Sequence, residues 1–561
     1  MESVTVMRSS NPSHDPINVA VHLQRMARTQ PFKRAVVYPH SRDRNDRVAY
    51  THLTFQQLDL ESDRLAFGLE QAGITRGTRT ILMVKPSLEF FALVFAVFKI
   101  GAVPVVVDPG MGIRRMLECF RETRPTAFIG ISIAHVLRVV YRRFFGTVRV
   151  WVTVGRRWFW GGHTLSKLRP DTRDPFPIAG TARDETAAIL FTTGSTGPAK
   201  GVVYSHGIFD AQIHRIKRQY DIASDEIDLP TFPLFALFDP ALGMTAVVPD
   251  MDPTRPARAN PLKIIEAITN HGVTNMFASP ALLNRVGAYG KARGMRLPSL
   301  KRVISAGAPV MPKVLDQFAG LLSGEAEIYT GYGATEAMPV ASIGSREILA
   351  ETRAVSEGGR GVCVGKPIQG IDVRIIEISD GPIETWSPDL TVAAETVGEI
   401  AVRGDIVTSQ YYSRPEADAL AKIRDGDTVW HRMGDLGRMD PKGRIWFYGR
   451  KSHRVMTDAG PLFTIACEAI FNTHPRVFRS ALVGVGSTPC RKPVMCIELY
   501  PDDDGSRKAL LSRELLDLAQ STAWTRSIDT FLYHDGFPVD IRHNSKIFRE
   551  KLARWAEKKL K

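Results

Sequence analysis

The chain has 561 residues, 44% of them hydrophobic and 24% charged, which is an ordinary globular composition long enough for several domains. Its five cysteines show no CxxC or zinc-ligand spacing, so the sequence predicts a reduced, cytoplasmic protein without a disulfide framework. The polar first 16 residues do not predict a signal peptide, and the most apolar run, residues 90–107, is too short and too interrupted to span a membrane.

The first hundred residues alternate helical and strand patterns, which predicts a largely parallel sheet covered by helices. An amphipathic helix is predicted over residues 55–72, with Thr54 as its N-cap and Gln57 completing a capping box. A strand is predicted over residues 80–84. The apolar residues 90–107 predict a buried helix followed by a buried strand.

Residues 113–160 combine paired arginines with tyrosine, phenylalanine and tryptophan, in a chain whose net charge is +14. A basic chain of this kind raises nucleic acid as a partner, but no recognised nucleic-acid motif is present and we expect no nucleic-acid binding. Two interpretations of this region remain open. One is a solvated basic face over packed aromatic rings, and the other is contact with an anionic membrane or an acidic partner protein.

A strand pattern over residues 187–191 ends abruptly in hydroxyls and glycines and closes with Lys200. Glycines allow a tight turn whose amide groups converge on an anion, while hydroxyls and a lysine add donors. The Walker pattern does not fit, because Ala199 precedes the lysine and Gly201 follows it. A polar, solvent-exposed loop is the alternative. The residues predicted to cradle a polyphosphate are Thr192, Thr193, Gly194, Ser195, Thr196, Gly197 and Lys200.

Further along, residues 161–186 predict a surface connection and residues 208–220 a polar helix. A strand and a helix are predicted over residues 274–289. The strand ending in Gly307, Ala308 and Pro309 has small residues, which permit a flat ring to approach the backbone. The C-terminal part predicts two strands and a last helix whose apolar side chains form a core stripe.

Four segments together resemble the motifs of adenylate-forming enzymes, a family of acyl-CoA synthetases, peptide-synthetase adenylation domains and luciferases. The loop at residues 192–201 resembles the family's phosphate loop, with proline and its neighbour exchanged. Residues 328–336 resemble its Tyr-Gly-x-Thr-Glu motif, and residues 430–437 resemble its Tyr/Trp-Arg-Thr-Gly-Asp-Leu motif. Lys546 matches the lysine close to the family's C-terminus.

The resemblance implies an α/β fold with a large N-terminal domain of helix-covered sheets over residues 1–450. A small, mobile C-terminal α+β domain over residues 451–561 would carry the catalytic lysine. It also implies ATP and Mg²⁺ as cofactors. The residues that would bind the nucleotide are the loop residues above together with Gly307, Ala308, Pro309, Tyr332, Gly333, Asp435 and Arg450.

The same resemblance implies a role for each motif residue. Tyr332 would stack on adenine, an aromatic ring's usual contact, and Asp435 would accept hydrogen bonds from the ribose hydroxyls. Thr335 would bind the α-phosphate and Glu336 would be the Mg²⁺ ligand. Lys546 would reach the substrate carboxylate and the α-phosphate, so that Lys546, Thr335 and Glu336 form the catalytic set.

Several residues depart from the acyl-CoA synthetase pattern. Ala236 stands where those enzymes carry a histidine beside the carboxylate, and residues 456–460 do not match the glycine-bearing loop of their pantetheine channel. Met433 replaces a threonine, and Ser545 replaces a glycine. Because two of these changes affect thioester formation, we expect the second nucleophile to come from within the substrate.

Taken whole, the chain most resembles the β-lactone synthetases of bacterial long-chain olefin biosynthesis. This implies a 2-alkyl-3-hydroxy fatty acid that is activated as acyl-AMP, after which its own β-hydroxyl closes a β-lactone. It also implies a complex with the β-lactone decarboxylase and the 2-alkyl-3-ketoalkanoate reductase. A long-chain acyl-CoA synthetase or acyl-AMP ligase stays open, and a non-catalytic basic binding protein is a distant alternative. His206 is expected to be structural rather than a base for the β-hydroxyl.

Overall fold

The computed structural model describes residues 17–191, 199–487, 490–501, 503, 505–540 and 546–561. The helices are α1 Val21–Thr29, α2 Phe55–Gln71, α3 Leu88–Ile100, α4 Ile113–Thr123, α5 Ser132–Val140, α6 His206–Gln219, α7 Pro233–Ala236, α8 Phe238–Leu242, α9 Pro261–His271, α10 Pro280–Ala292, α11 Pro312–Ala319, α12 Ser345–Glu347, α13 Arg353–Glu357, α14 Pro415–Ala421, α15 Thr464–Phe471, α16 Lys508–Gln520 and α17 Arg549–Leu560.

The strands are β1 Arg34–Arg42, β2 Val48–Thr54, β3 Arg79–Met83, β4 Val103–Val107, β5 Ala127–Ile131, β6 Val150–Val154, β7 His163–Thr164, β8 Thr186–Phe191, β9 Gly201–Ser205, β10 Ile227–Pro230, β11 Thr245–Val247, β12 Asn275–Ala278, β13 Arg302–Ser305, β14 Glu327–Ala334, β15 Ala337–Gly344, β16 Val362–Pro367, β17 Asp372–Ile376, β18 Gly398–Arg403, β19 Lys422–Asp425, β20 Thr428–Met439, β21 Ile445–Arg450, β22 Val455–Thr457, β23 Gly460–Leu462, β24 Val477–Val485, β25 Lys492–Leu499 and β26 Phe531–Tyr533.

Two large sheets carry most of the fold, one of 14 strands and one of seven. The 14-stranded sheet is parallel through β11, β10, β12, β13 and β14, and its strands from β15 to β21 pair antiparallel. The seven-stranded sheet is parallel except where β9 pairs antiparallel with β8. Helices cover both sheets, so the predicted α/β class is confirmed.

The N-terminal elements form as their sequences predict. The Thr54 hydroxyl accepts a hydrogen bond from the Gln57 amide at 3.2 Å, and the Gln57 side chain accepts one from the Thr54 amide at 2.9 Å. This capping box starts α2. The apolar run that follows is the buried helix α3, which ends at Gly101 in the left-handed conformation (φ 75°) before β4.

The predicted surface connection at residues 161–186 is more buried than its composition indicates. Leu165, Leu168 and Phe176 belong to the hydrophobic core under α2. A Cβ added to Gly68 of α2 would lie 1.7 Å from the carbonyl oxygen of Leu168, so only glycine lets the connection approach the helix this closely. Most of the segment lies at the surface, as its composition predicts, and these few apolar side chains anchor it to the core.

A three-stranded sheet of β24, β25 and β26 lies after the 14-stranded sheet in the chain and packs with α15, α16 and α17. Leu552 of α17 is fully buried and Trp555 packs beside it, which confirms the predicted core stripe. β21 ends at Arg450, where the sequence places the domain boundary. Next to it, Lys451 lies 2.9 Å from the buried Glu399 in an ion pair. The domain boundary and the mobility of the C-terminal domain stay predictions.

Among the described residues, no helix is both long enough and apolar enough to cross a membrane.

A buried charge cluster joins α2 and α3. Lys99 is fully buried and its ammonium lies 2.6 Å from Asp59 and 2.5 Å from Asp63. A lysine in an apolar helix is tolerated here because two carboxylates accept its hydrogen bonds. The cluster therefore fixes how the two helices pack.

We predict that Lys99→Met lowers the free energy of unfolding by about 3–5 kcal/mol, because the buried Asp63 and the partly buried Asp59 would lose their cation. Urea unfolding followed by circular dichroism measures the change. The control is Lys291→Met, since Lys291 also lies in the last turn of a helix but is exposed. Equal stability of the two variants would contradict a stabilising role for the Lys99 ion pairs.

Candidate functional site

The structure brings Tyr332 and Asp435 together although 103 residues separate them. Tyr332 lies on β14 and Asp435 on β20, and these strands belong to the same sheet. The Tyr332 hydroxyl donates a hydrogen bond of 2.8 Å to Oδ2 of Asp435. Arg450, at the end of β21, lies directly opposite Asp435 in the strand register and forms an ion pair of 3.2 Å with its Oδ1.

Burial controls the electrostatics of this pair. It raises the pKa of Asp435, while Arg450 and the hydrogen bond from Tyr332 act in the opposite direction. Burial and the neighbouring Asp435 raise the pKa of Tyr332 well above its usual value, so Tyr332 stays protonated and keeps donating. Despite the ion pair, Oδ1 of Asp435 is buried and receives no hydrogen bond from the described residues. A buried acceptor with spare capacity fits a hydroxyl group of a ligand.

Thr335 and Glu336 follow Tyr332 at the tip of the β14–β15 hairpin. The Tyr204 hydroxyl donates to the carbonyl oxygen of Thr335 at 2.5 Å. The Tyr411 hydroxyl donates to Oε1 of Glu336 at 2.7 Å. These contacts hold the backbone of Thr335 and the carboxylate of Glu336, so two different segments fix the hairpin tip.

Tyr411 and Lys422 are site residues that the sequence analysis missed. Lys422 is buried, donates to the Thr408 hydroxyl at 3.3 Å, and its ammonium lies 5.7 Å from the centre of the Tyr411 ring. Burial lowers the pKa of Lys422 to about 8, and Glu336 opposes this shift. The ammonium of Lys200 lies 4.7 Å from the same ring. No periodicity or motif marks either missed residue, because their significance comes from long-range contacts.

Together these residues place cations beside carboxylates at one site. Lys422 lies near Glu336, both Lys422 and Lys200 lie near Asp418, and Arg450 pairs with Asp435. His431 adds no charge, because burial and then Lys422 depress its pKa well below the usual value. Such a site can hold a polyanion such as a nucleotide phosphate chain.

The predicted ring pocket lies at the carboxyl end of β13. Ser305 pairs with Thr330 in parallel register, so the chain leaves β13 beside the part of β14 that carries Tyr332. Gly307 has φ +93°, a left-handed value that glycine adopts without strain. A Cβ on Gly333 would lie 2.7 Å from the carbonyl oxygen of Ala337, so glycine is required in the hairpin. Ala308, which is half-buried, and Pro309, which is exposed, continue this loop.

Lys546 lies in the electrostatic field of this site. Its positive charge lowers the pKa of Asp435, although it belongs to the C-terminal part of the chain. The backbone amide of Lys546 donates to Oδ1 of Asp540 at 3.2 Å, and its carbonyl oxygen accepts from the Asp540 amide at 3.0 Å. These bonds tie Lys546 to the strand-like segment that precedes α17.

Part of the predicted phosphate loop lies outside the described residues. The residues concerned are Thr192, Thr193, Gly194, Ser195, Thr196 and Gly197. The two ends of the loop are described. β8 ends at Phe191 and β9 starts at Gly201, whose carbonyl oxygen accepts a hydrogen bond of 2.7 Å from the Tyr412 amide. The segment that carries Tyr411 therefore fixes one end of the loop.

Ala236 and His206 both have apolar surroundings. Ala236 ends α7 and is buried in the largest hydrophobic cluster, while Phe235 stacks on Phe277 at 4.0 Å between ring centres. Nδ1 of His206 accepts a hydrogen bond from the Val19 amide at 3.3 Å, and burial lowers the pKa of His206 to about 4. A neutral histidine bonded to the backbone supports the structural interpretation of His206.

Comparison with known proteins identifies relatives over nearly the whole chain. Residues 23–412 match the family described as AMP-binding enzyme. Two proteins named Olefin beta-lactone synthetase are each 48% identical to the chain. The protein from Xanthomonas campestris pv. campestris aligns over 96% of this chain and 97% of its own length. The protein from Stenotrophomonas maltophilia aligns over 97% and 99%.

The fold matches a solved structure. The amide bond synthetase McbA from Marinactinospora thermotolerans superimposes with a TM-score of 0.77 at 20% sequence identity. The superposition covers 96% of this chain and 99% of that one. At this identity the likeness concerns the fold alone.

We predict that Asp435→Asn lowers the affinity for AMP about 10- to 100-fold, because it weakens the acceptor of a ligand hydroxyl by about 1.5–3 kcal/mol. Isothermal titration calorimetry measures this affinity. Asp427→Asn is the control, since Asp427 is exposed in the turn just before the same strand. Wild-type affinity in Asp435→Asn would show that the nucleotide binds elsewhere.

Proposed function

The chain belongs to the AMP-binding enzyme family, and on this premise we propose that it is an ATP-dependent olefin β-lactone synthetase. The observation that carries this proposal is the identity of 48% over almost the full length of two proteins with that name. The chain would activate a 2-alkyl-3-hydroxy fatty acid as acyl-AMP. It would then close the β-lactone ring and release AMP, with pyrophosphate released in the first step.

The first step is transfer of AMP to the substrate carboxylate. Asp435 accepts hydrogen bonds from the ribose, and the adenine lies beside Tyr332 and the loop after β13. Lys200 and Arg450 offset charge on the phosphates, a role supported by their positions beside Tyr411 and Asp435. A carboxylate oxygen attacks the α-phosphorus in line, and the bond from that phosphorus to pyrophosphate breaks.

Glu336 is the residue that would hold Mg²⁺. Its carboxylate has one oxygen bonded to Tyr411, and oxygen ligands suit this ion. Within the described ranges no group of three or more histidines, cysteines and acids could form a metal cage. One carboxylate supplemented by substrate phosphates is a common arrangement for Mg²⁺. When bound, the ion neutralises phosphate charge.

Lys546 and Thr335 complete the catalytic set. Lys546 donates to the attacking carboxylate and to the α-phosphate, where negative charge develops in the transition state. Its influence on the pKa of Asp435 supports this position relative to the nucleotide. The Thr335 hydroxyl binds the same phosphate, and the hydrogen bond that its carbonyl oxygen accepts from Tyr204 holds its backbone.

The second step is intramolecular. The β-hydroxyl oxygen bonds to the acyl carbon, the bond from that carbon to the AMP oxygen breaks, and the hydroxyl proton is released to solvent. Because the β-hydroxyl and the acyl-AMP group belong to one molecule, ring closure does not require a second molecule to bind, and the entropic cost of the step is smaller. The buried methyl group of Ala236 leaves an apolar wall where a histidine would attract water, and excluding water protects acyl-AMP from hydrolysis.

We also propose where the protein acts and which partners it contacts. The chain would act in the cytoplasm, in a complex with the β-lactone decarboxylase and the 2-alkyl-3-ketoalkanoate reductase of olefin biosynthesis. Peripheral contact with a membrane through residues 113–160 is a further part of it. The basic composition of that region supports the membrane contact.

We predict that the protein, given ATP, Mg²⁺ and a 2-alkyl-3-hydroxy acid without CoA, releases β-lactone, AMP and pyrophosphate. Mass spectrometry and phosphorus NMR identify these products. The matched substrate is the 2-alkyl acid without the 3-hydroxyl, which should give acyl-AMP but no lactone. Turnover only after addition of CoA would favour an acyl-CoA synthetase, and release of ADP would rule out adenylation.

We predict that Lys546→Ala lowers ATP–pyrophosphate exchange by about 100-fold or more, because it removes a donor to the charge that forms in the transition state. AMP binding should stay close to wild type, since Asp435 and Tyr332 are unchanged. Lys558→Ala is the control, because Lys558 is exposed on the neighbouring helix α17. Full exchange activity in Lys546→Ala would remove this lysine from the catalytic set.

A further inference from the structure

Several large apolar side chains in residues 113–160 are exposed to solvent. Phe159 is 78% exposed, Val140 66% and Trp158 51%. Ile113, Ile133 and Val139 are also exposed. The remaining aromatic rings of this region pack inward, as in the case of Trp160 and Phe145. Exposed apolar side chains concentrated in one region indicate an interaction site rather than ordinary surface variation.

Contacts between neighbouring segments make this one continuous surface. The Ser132 hydroxyl at the start of α5 donates to the Arg156 carbonyl oxygen at 2.6 Å. Further along the helix, His135 stacks on Trp160 at 5.4 Å between ring centres. The loop at residues 155–162 is thus fixed along α5. We call the exposed side chains of α4, α5, the turn at residues 141–144 and this loop the basic–aromatic surface.

A groove of about 750 Å³ lies between α4 and the turn at residues 141–144. Its lining includes the buried side chains of Leu117 and Phe144, together with Arg114, Arg121 and Arg143. The guanidinium groups of Arg121 and Arg143 lie 5.5 and 5.0 Å from the centre of the Phe144 ring. The groove therefore combines an apolar base with several exposed cations.

Residues 113–160 carry a strong excess of positive charge. Residues 113–160 contain ten arginines, no lysine and two glutamates, a net charge of +8 in a chain of +14. Arginine matches phosphate geometry with two parallel hydrogen bonds, which a lysine does not offer. One of the glutamates, Glu122, is engaged by Arg414 from outside the region at 2.6 Å. The surface therefore complements a dense array of phosphates.

Two classes of partner carry such arrays, and the aliphatic side chains distinguish them. Nucleic-acid surfaces use arginine and stacked aromatic rings, but valine and isoleucine neither stack on bases nor bind phosphates. At a membrane surface, aliphatic side chains enter the acyl boundary, tryptophan and phenylalanine lie at the headgroup level, and arginine binds lipid phosphates. Exposed Ile133, Val139 and Val140 favour the membrane.

We propose that the basic–aromatic surface docks the protein on the face of an anionic phospholipid bilayer. The arginines bind headgroup phosphates, and the apolar side chains of α5 and of the loop at residues 155–162 enter the interface. Docking itself does not depend on the proposed activity. The benefit of docking to the enzyme rests on the proposed function, because a substrate with two long alkyl chains partitions into the bilayer.

The test is sedimentation of the full-length protein with vesicles of phosphatidylcholine alone and of phosphatidylcholine mixed with phosphatidylglycerol. We expect binding to the mixed vesicles only, weakened by added salt because exposed charges are screened. Arg115→Glu with Arg142→Glu should weaken it about tenfold or more, since each cation near an anionic surface contributes to attraction. Trp158→Ser with Phe159→Ser should weaken it comparably by removing the inserted rings.

Matched controls lie on other exposed parts of the chain. Arg44→Glu with Arg173→Glu makes the same change of net charge outside the surface, and Phe32→Ser removes an equally exposed ring. All three control substitutions should leave vesicle binding unchanged. ATP–pyrophosphate exchange with a dispersed substrate should be normal in every variant, which separates docking from catalysis.

Three outcomes would overturn the proposal. The first is no binding of the wild-type protein to mixed vesicles, and the second is equal weakening by the control variants. The third is tighter binding to single-stranded RNA than to vesicles, lost in Arg115→Glu with Arg142→Glu, which would assign the surface to nucleic acid.

Discussion

The site depends on one buried carboxylate. Asp435 joins β20 to Tyr332 of β14 and to Arg450 of β21, so strands far apart in the sequence are held in one arrangement. Burial raises the pKa of this carboxyl group, and an arginine and a protonated tyrosine oppose that shift. Its Oδ1 receives no hydrogen bond from the part of the chain that the structure describes, and in the proposed function it would accept one from a ribose hydroxyl.

A second set of contacts extends from that carboxylate to the phosphate side of the site. Tyr411 bonds to Glu336, and its own segment pairs with β9 at Val202, next to the end of the phosphate loop. One short segment therefore connects the seven-stranded sheet with the hairpin of the 14-stranded sheet. Lys422 lies beneath it and opposes the negative charge of Glu336. A shift of this segment would move the carboxylate and the loop end together.

The proposed acyl side of the site is chemically simple by comparison. Ala236 is a buried methyl group among aromatic and aliphatic neighbours, and it offers neither a donor nor a proton. In the proposed reaction the nucleophile is already part of the substrate. The protein therefore needs to position the substrate and exclude water rather than supply a second set of polar groups. The basic–aromatic surface is chemically different, because it combines exposed cations with exposed apolar side chains.

Sequence patterns alone determined the elements and the motifs with local signatures. The capping box at Thr54, the buried helix and strand of residues 90–107 and the α/β alternation depend on neighbours close in the chain, and the structure confirms them. Motif order also placed Tyr332 and Asp435 at one site, where the structure finds them in contact. Their individual roles toward a nucleotide stay predictions.

Tertiary structure decided what depends on distant contacts. A tyrosine and a lysine without motif, Tyr411 and Lys422, become part of the site because folding brings residues 75 positions apart within one hydrogen bond. The carboxylate partners of buried Lys99, and the packing of Leu165 and Phe176 under α2, likewise depend on distant contacts that composition does not report. Charge and pKa are properties of the folded surroundings, and a linear sequence does not contain those distances.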